Sequence, residues 1–206
     1  FLVPNFISED EEEAVLGFLD SGEGEQPPYS WRLHDNKNRR TGPHFSKQGG
    51  VKTDFLRRRF LKPDRPIPHI LRPIIERMRC IKEGRAFRPN EANAIDYRRK
   101  KGHFLGAHCD DRHLSGQILA NLCLAGDCIM RYVRDGAKKS SVGSFRGVAA
   151  LKNAYDVHLP RRALQLQTGT VRYDFQHSIP NELLLSDRRV SITFRENKDE
   201  ALGEHV

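Results

Sequence analysis

The sequence predicts a mainly β protein that opens with helices and closes as two sheets packed face to face. Three observations carry this. Ser8-x-x-Glu11, followed by apolar residues at helical spacing, marks one early helix, and the run from Ile70 to Met78 marks a second. From Ala86 onward the texture changes to short alternating segments separated by turns. Helices first and strands afterwards fit a sheet-on-sheet barrel.

Phe1 to Phe6 reads as a short extended entry. A helix follows from about Glu9 to Asp20, with acidic residues in its first turn, where they suit the helix dipole. Ala14, Val15, Leu16, Phe18 and Leu19 form its apolar face, and Gly22 stops it. Residues 22–28 form a loop. The second helix spans about Pro68 to Ile81, with Ile70, Leu71, Ile74, Ile75 and Met78 at helical spacing. Pro73 inside it predicts a later start or a kink, because proline lacks the N–H that the helix ladder needs.

Ala92 to Tyr97 reads as a strand, Arg98 to Gly102 as a basic turn, and His103 to His108 as the approach to the next motif. Gln117 to Leu124 is a strongly apolar strand, Asp127 to Val133 is its neighbour, and Lys138 to Arg146 is a polar loop. Ala163 to Gln167 is a strand, Gly169 marks a turn, and Val171 to Phe175 leads to His177. In the last strand, Arg189 to Arg195, Val190, Ile192 and Phe194 share one face. Arg189, Ser191, Thr193 and Arg195 share the other.

The 206 residues are 30% charged and 37% hydrophobic, enough for one domain with a sizeable core. The domain divides into an N-terminal region, 1–85, a β core, 86–196, and a charged tail, 197–206. The net charge of +8 favours an anionic partner, with nucleic acid the obvious candidate, although solubility alone also explains such a balance. No apolar run approaches the ~20 residues that cross a bilayer, so no membrane association is expected. The chain starts at Phe1 with no signal-like segment and reads as trimmed or processed. Cys80, Cys109, Cys123 and Cys128 lack zinc-ribbon spacing and are few for a disulfide scaffold. Reduced thiols and an intracellular location, nucleus or cytoplasm, follow. A monomer is expected.

Near the middle stands His108-x-Asp110. On a strand, residues two apart project from one face, so this pair and one distant histidine, His177, make a two-histidine, one-carboxylate set. Such a set suits Fe(II) and leaves positions open for a keto acid and dioxygen. Arg189 and Arg195, six apart on one face, can hold a dicarboxylate such as 2-oxoglutarate, because guanidinium pairs with carboxylate in two-pronged geometry. Cys109 would point away from the metal and reads as packing. Asp111 would also face away and could order the loop with Arg112. His103, five residues before His108, falls on the opposite face and is a poor ligand; His113 is a second rival.

The order of these parts resembles the AlkB-like branch of the Fe(II)/2-oxoglutarate-dependent dioxygenases. The matching pieces are the strand ending in Tyr97, the His108-x-Asp110 pair, "TVRYDFQHSIP" around His177, and "RRVSITFR" with Arg189 and Arg195. The resemblance covers about half of the chain, from Ala86 to Glu196. It implies a single dioxygenase domain built on a double-stranded β-helix, the jelly-roll or cupin-like core. It also implies Fe(II) on His108, Asp110 and His177, and 2-oxoglutarate on Tyr97, Arg189 and Arg195, with O2 as second co-substrate. Arg189 would take the far carboxylate, and Arg195 would lie towards the keto-acid end. The family places an asparagine two residues before the tyrosine. Here Ile95 stands at that position and the asparagine is Asn93, on the same face one pair further along.

By the same resemblance, the region with Trp31, Arg39, Arg40 and Phe45 is part of a substrate lid. There the aromatics would stack on a base and the arginines grip phosphates. Core aromatics and solvated arginines are the other reading, and both stay open. The implied activity is oxidative N-demethylation of a methylated nucleobase in DNA or RNA, releasing formaldehyde, succinate and CO2. The alternative is a protein-directed dioxygenase acting on methyl-lysine or hydroxylating a side chain.

Overall fold

The computed structural model describes residues 1–21, 31–34, 42–54, 57, 59–135 and 154–198. Strand β1 (Leu2–Val3) is the extended entry, and helix α1 (Glu9–Ser21) follows. The capping box forms: the Glu11 amide donates to Ser8 Oγ at 3.1 Å, and the Ser8 amide donates to Glu11 Oε2 at 2.9 Å. Val15 and Leu19 are buried, while Ala14 is exposed. Glu12 is buried among these apolar residues because Arg161 holds its carboxylate, with the shorter bond 2.7 Å.

Strands β2 (Arg32–His34), β3 (His44–Gly50), β4 (Lys52–Asp54) and β5 (Arg59–Leu61) come next. A 3₁₀ turn at His69–Leu71 then leads into helix α2 (Arg72–Cys80). Pro73 lies in the first turn of α2, where a missing N–H costs nothing, so the predicted helix starts late instead of kinking.

The β core runs β6 (Glu91–Arg98), β7 (Leu105–His108), β8 (Ser115–Cys123), β9 (Cys128–Arg134), β10 (Ala154–Leu159), β11 (Leu164–Gln167), helix α3 (Gly169–Asp174), β12 (Phe175–Ile179) and β13 (Arg188–Asn197). The turn expected at Gly169 is therefore the start of a six-residue helix, and the strand carrying His177 begins only at Phe175.

Seven strands form the larger sheet in the order β1-β11-β8-β13-β6-β3-β2, and four form the smaller, β10-β9-β12-β7. One core lies between the larger sheet and the helices: Val190, Ile192 and Phe194 of β13 meet Val15, Leu19, Ile74 and Met78 there. A second core lies between the two sheets, where Tyr97 and Cys123 meet Met130, Tyr132, Leu159 and Ile179. The mainly β architecture with N-terminal helices is thus observed. The alternation in β13 sends its apolar residues to the helices and its arginines between the sheets.

Candidate active site

His108 ends β7 and His177 sits on the neighbouring strand β12, directly opposite. Their rings lie 4.5 Å apart between centroids. Asp110 joins them, with Oδ1 3.6 Å from His108 Nε2. One ligand atom from each of the three lies within 4.8 Å of the others, a spacing that can hold one metal ion. The strand ends at His108, so the expected strand geometry of His-x-Asp does not apply. Asp110 reaches the cluster from the irregular segment that follows β7.

Polar contacts fix these groups. His108 Nδ1 donates to the Gly106 carbonyl at 2.8 Å, which leaves Nε2 as the free lone pair facing the cluster. Burial, together with the neighbouring His108, pushes the His177 pKa down to about 3, so this ring is a neutral donor at physiological pH. Burial alone would raise the Asp110 carboxyl. Arg195, with His108 and His177 close by, outweighs it and holds the group well below the usual carboxylate range. Arg195 Nη2 lies 3.3 and 3.4 Å from the two Asp110 oxygens, and Nη1 donates to Glu91 at 2.9 Å. Arg195 is therefore already balanced by two carboxylates.

Arg189 is different. It faces the same cavity, is only 2% exposed, and has no hydrogen-bond partner on Nε or Nη2. Its neighbours are the Tyr97 ring, 5.8 Å from the guanidinium carbon, and the sulfurs of Cys123 and Cys128. Burial pushes the Cys123 thiol up to about 11 and raises Cys128 as well, so neither offers a negative charge at neutral pH. Tyr97 Oη is likewise buried and unpartnered, with its pKa raised by burial. A buried cation with two unpartnered nitrogens, beside an unpartnered hydroxyl, marks a place shaped for an anion.

Solved structures share this arrangement of sheets. No protein-family model matches the sequence. Among curated proteins, the chain is 25% identical over 213 residues to human alpha-ketoglutarate-dependent dioxygenase alkB homolog 4, covering 95% of this chain and 66% of that one. The mouse protein of the same name is 24% identical, covering 98% of this chain and 68% of its own length. A DNA N6-methyl adenine demethylase of Caenorhabditis elegans is 28% identical over 206 residues, covering 98% and 61%. The chain thus spans about two thirds of the length of these relatives. Among solved structures, OsALKBH1 superposes with a TM-score of 0.64 at 14% identity, covering 95% of both chains. A Pseudomonas putida prolyl-4-hydroxylase superposes at 0.55 and 12%, covering 96% and 92%.

These relatives bear out the resemblance to the AlkB-like Fe(II)/2-oxoglutarate-dependent dioxygenases. The chain's two sheets are the jelly-roll core expected from the resemblance.

Within this jelly-roll core, the structure brings together His108, Asp110, His177, Tyr97, Arg189 and Arg195 around one cavity. Asn93 shares the inward face with Ile95 and Tyr97, but it lies beyond the cavity wall, with a buried, unpartnered Oδ1. The wall instead carries Asn121, on β8 opposite Thr193, whose Oδ1 is also unpartnered. Gln167 and Met130 complete this side, tied to Gln165 and Tyr132 by hydrogen bonds. Sequence reasoning missed this side. Its signal was a lone Asn in an apolar strand and the alternation Leu164-Gln165-Leu166-Gln167.

Trp31 and Phe45 do not reach the cavity. Trp31 packs against the core on the helix side, its Nε1 donating to Asp20 at 3.2 Å. Phe45 pairs with Asp96, on the helix side of the sheet, and meets His103 and Lys101. The inward positions of β2 and β3 hold His34, His44 and Ser46, with His44 stacked 5.1 Å from His34 and tilted against Tyr97 at 5.9 Å. Arg39 and Arg40 lie outside the described residues. Among the other histidines, His103 is buried away from the cluster, and its Nδ1 accepts the Arg98 amide. Asp111 orders the turn, as expected, by accepting the amides of His113 and Leu114 at 2.8 Å. Cys109 is packed, donating to the Phe175 carbonyl at 3.2 Å.

Proposed function

We propose that this chain is an Fe(II)- and 2-oxoglutarate-dependent dioxygenase that removes N-methyl groups from a nucleobase in DNA or RNA. The observation that carries the cofactor reading is the unbalanced, buried Arg189 on the wall of a cavity that also holds a His/Asp/His cluster. Two imidazoles and one carboxylate form a donor set that suits Fe(II). His108, Asp110 and His177 hold the metal. Arg189 receives the far carboxylate of 2-oxoglutarate through Nε and Nη2, with Tyr97 Oη as a further donor. Asn121 reaches the keto acid from β8, in the place expected of Asn93. Arg195 keeps Asp110 ionised and aimed. Iron held there would, with the keto acid and dioxygen, supply the oxidising power for a C–H bond, the keto acid being converted to succinate and CO2. A hydroxylated N-methyl group then releases formaldehyde. The protein orients the keto acid and keeps the chamber dry.

The nematode relative, named as a DNA demethylase, supports a nucleobase as substrate. The net charge of +8 supports a nucleic-acid partner for what we take to be a monomer in the nucleus or cytoplasm. Among the described residues no helix is long and apolar enough to cross a membrane. A second reading, oxidation of a methylated lysine or another protein side chain, is favoured by the placement of Trp31 and Phe45 away from the cavity. The basic clusters are also partly spent on ion pairs, such as Arg57 and Arg59 with Asp54 and Lys100 with Asp187.

The test is succinate formation by iron-loaded protein with 2-oxoglutarate and a panel of N-methylated oligonucleotides and methyl-lysine peptides. Stimulation by an oligonucleotide, with formaldehyde released, is the expected result. Stimulation by peptide alone moves the enzyme to the second reading. Absence of any turnover with iron bound would sink both.

A further inference from the structure

Of the three groups in the His/Asp/His cluster, Asp110 alone is not held by a strand ladder, because β7 ends at His108. Something else must fix its backbone. That role falls to Arg172, on α3, five residues before His177. Its side chain is 2% exposed. Nη1 donates to the Asp110 carbonyl at 3.1 Å, and Nη2 donates to the Asp111 carbonyl at 2.6 Å.

Burying a guanidinium is costly, and an apolar residue would fill the space more cheaply. Arg172 receives partial compensation from the Asp110 carboxylate nearby. Two further bonds tie the same segments: Arg112 Nε donates to the Tyr173 carbonyl at 2.8 Å, and the Cys109 thiol to the Phe175 carbonyl at 3.2 Å. Arg172 is the buried member of the three, and it reaches the peptide of the carboxylate itself. Its planar fork spans two successive carbonyls, which a lysine's single ammonium cannot do with the same geometry.

We infer that Arg172 is a positioning residue: it docks the segment bearing Asp110 onto α3, the helix that leads directly into the strand carrying His177, so that the metal site is assembled before metal arrives. This inference rests on the proposed Fe(II) assignment. Partners behind metal ligands are worth about 10–100-fold in metal affinity, and Arg172 belongs in that range.

The experiment compares Arg172→Lys and Arg172→Met with wild type and His108→Ala, titrating Co(II) by calorimetry and recording the visible spectrum of the saturated protein. Thermal denaturation measures the folded fraction of each variant. Both Arg172 variants should bind Co(II) at least 10-fold more weakly while folded, and Arg172→Met should also change the Co(II) band positions. Lysine should recover part of the affinity. A purely structural role would lower thermal stability and leave the Co(II) affinity of the folded fraction, and its spectrum, unchanged. That result overturns the inference while wild-type binding, abolished in His108→Ala, keeps the metal assignment standing. Failure of wild type to bind Co(II), or equal binding by His108→Ala, overturns the metal assignment and this inference with it.

Discussion

Arg189→Met should move stability and co-substrate affinity in opposite directions. In the ligand-free protein the guanidinium is buried, with Nε and Nη2 unpartnered and two neutral thiols beside it. Replacing buried charge by a side chain of similar volume stabilises by about 1–4 kcal/mol in comparable sites. The Tyr97 face already gives the cation some support, so the lower end applies, about 1 kcal/mol, or about 2–4 °C in Tm for a chain of this size. Binding shows the reverse. Hydrogen bonds to charged groups contribute about 1.5–3 kcal/mol each, and two are lost. At least about 3 kcal/mol of 2-oxoglutarate affinity should disappear, which is more than about 100-fold in Kd. Differential scanning calorimetry of metal-free protein gives the first quantity. Titration of 2-oxoglutarate into Mn(II)-loaded protein gives the second. A variant that is less stable than wild type and binds 2-oxoglutarate equally well would refute the assignment of Arg189 as the anion receptor.

Acid should weaken the metal-free fold early. Burial is the leading cause that lowers the pKa of His34, His44 and His103 from the ordinary 6.5, so the folded state resists protonation that the unfolded chain accepts. Their contribution is present above about pH 6.5 and shrinks as the pH falls below it. Tm should drop steadily between pH 7 and 5, and His44→Gln should flatten the slope; a flat wild-type profile would contradict this. Gly126→Ala should destabilise by about 2–3 kcal/mol, measured by urea unfolding. Gly126 turns β8 into β9 at φ +77°, and a Cβ there would run into the Arg188 carbonyl. The same variant should weaken 2-oxoglutarate binding, because the start of β13 sets the position of Arg189.

Strand β13 was legible because its alternation is complete: apolar residues at 190, 192 and 194 declare one face, and the arginines must take the other. The cap of α1 was legible because Ser8 and Glu11 act on each other within one turn. The end of β7 just before Asp110 was hidden, since His-x-Asp reads identically whether or not the strand continues. Helix α3 was hidden too: Gly169 carries a turn signal, and six residues are too few to show a period. In β3 the sequence His44-Phe45-Ser46-Lys47-Gln48 left the lid and core readings of Phe45 open, because polar residues stand on both faces; Phe45 and Lys47 are the ones on the helix side of the sheet. Lys47 even donates to the Leu19 carbonyl. Local polarity gives the wrong face when an amphipathic side chain spends its charge on a buried carbonyl.

The cavity is built from both sheets: His108 and His177 belong to the smaller one, and Tyr97, Arg189 and Arg195 to the larger. On the proposed assignment, metal and keto acid together fasten one layer to the other. Saturating such a site at 100 times its Kd adds about 2.7 kcal/mol to the folded state. That is comparable to burying one large apolar side chain. Opening of the two layers, the event that exposes the chain to proteases, then becomes rarer whenever both ligands are plentiful. The lifetime of the protein, and with it the amount present, would follow the supply of iron and of a central metabolite, in addition to any effect these have on turnover.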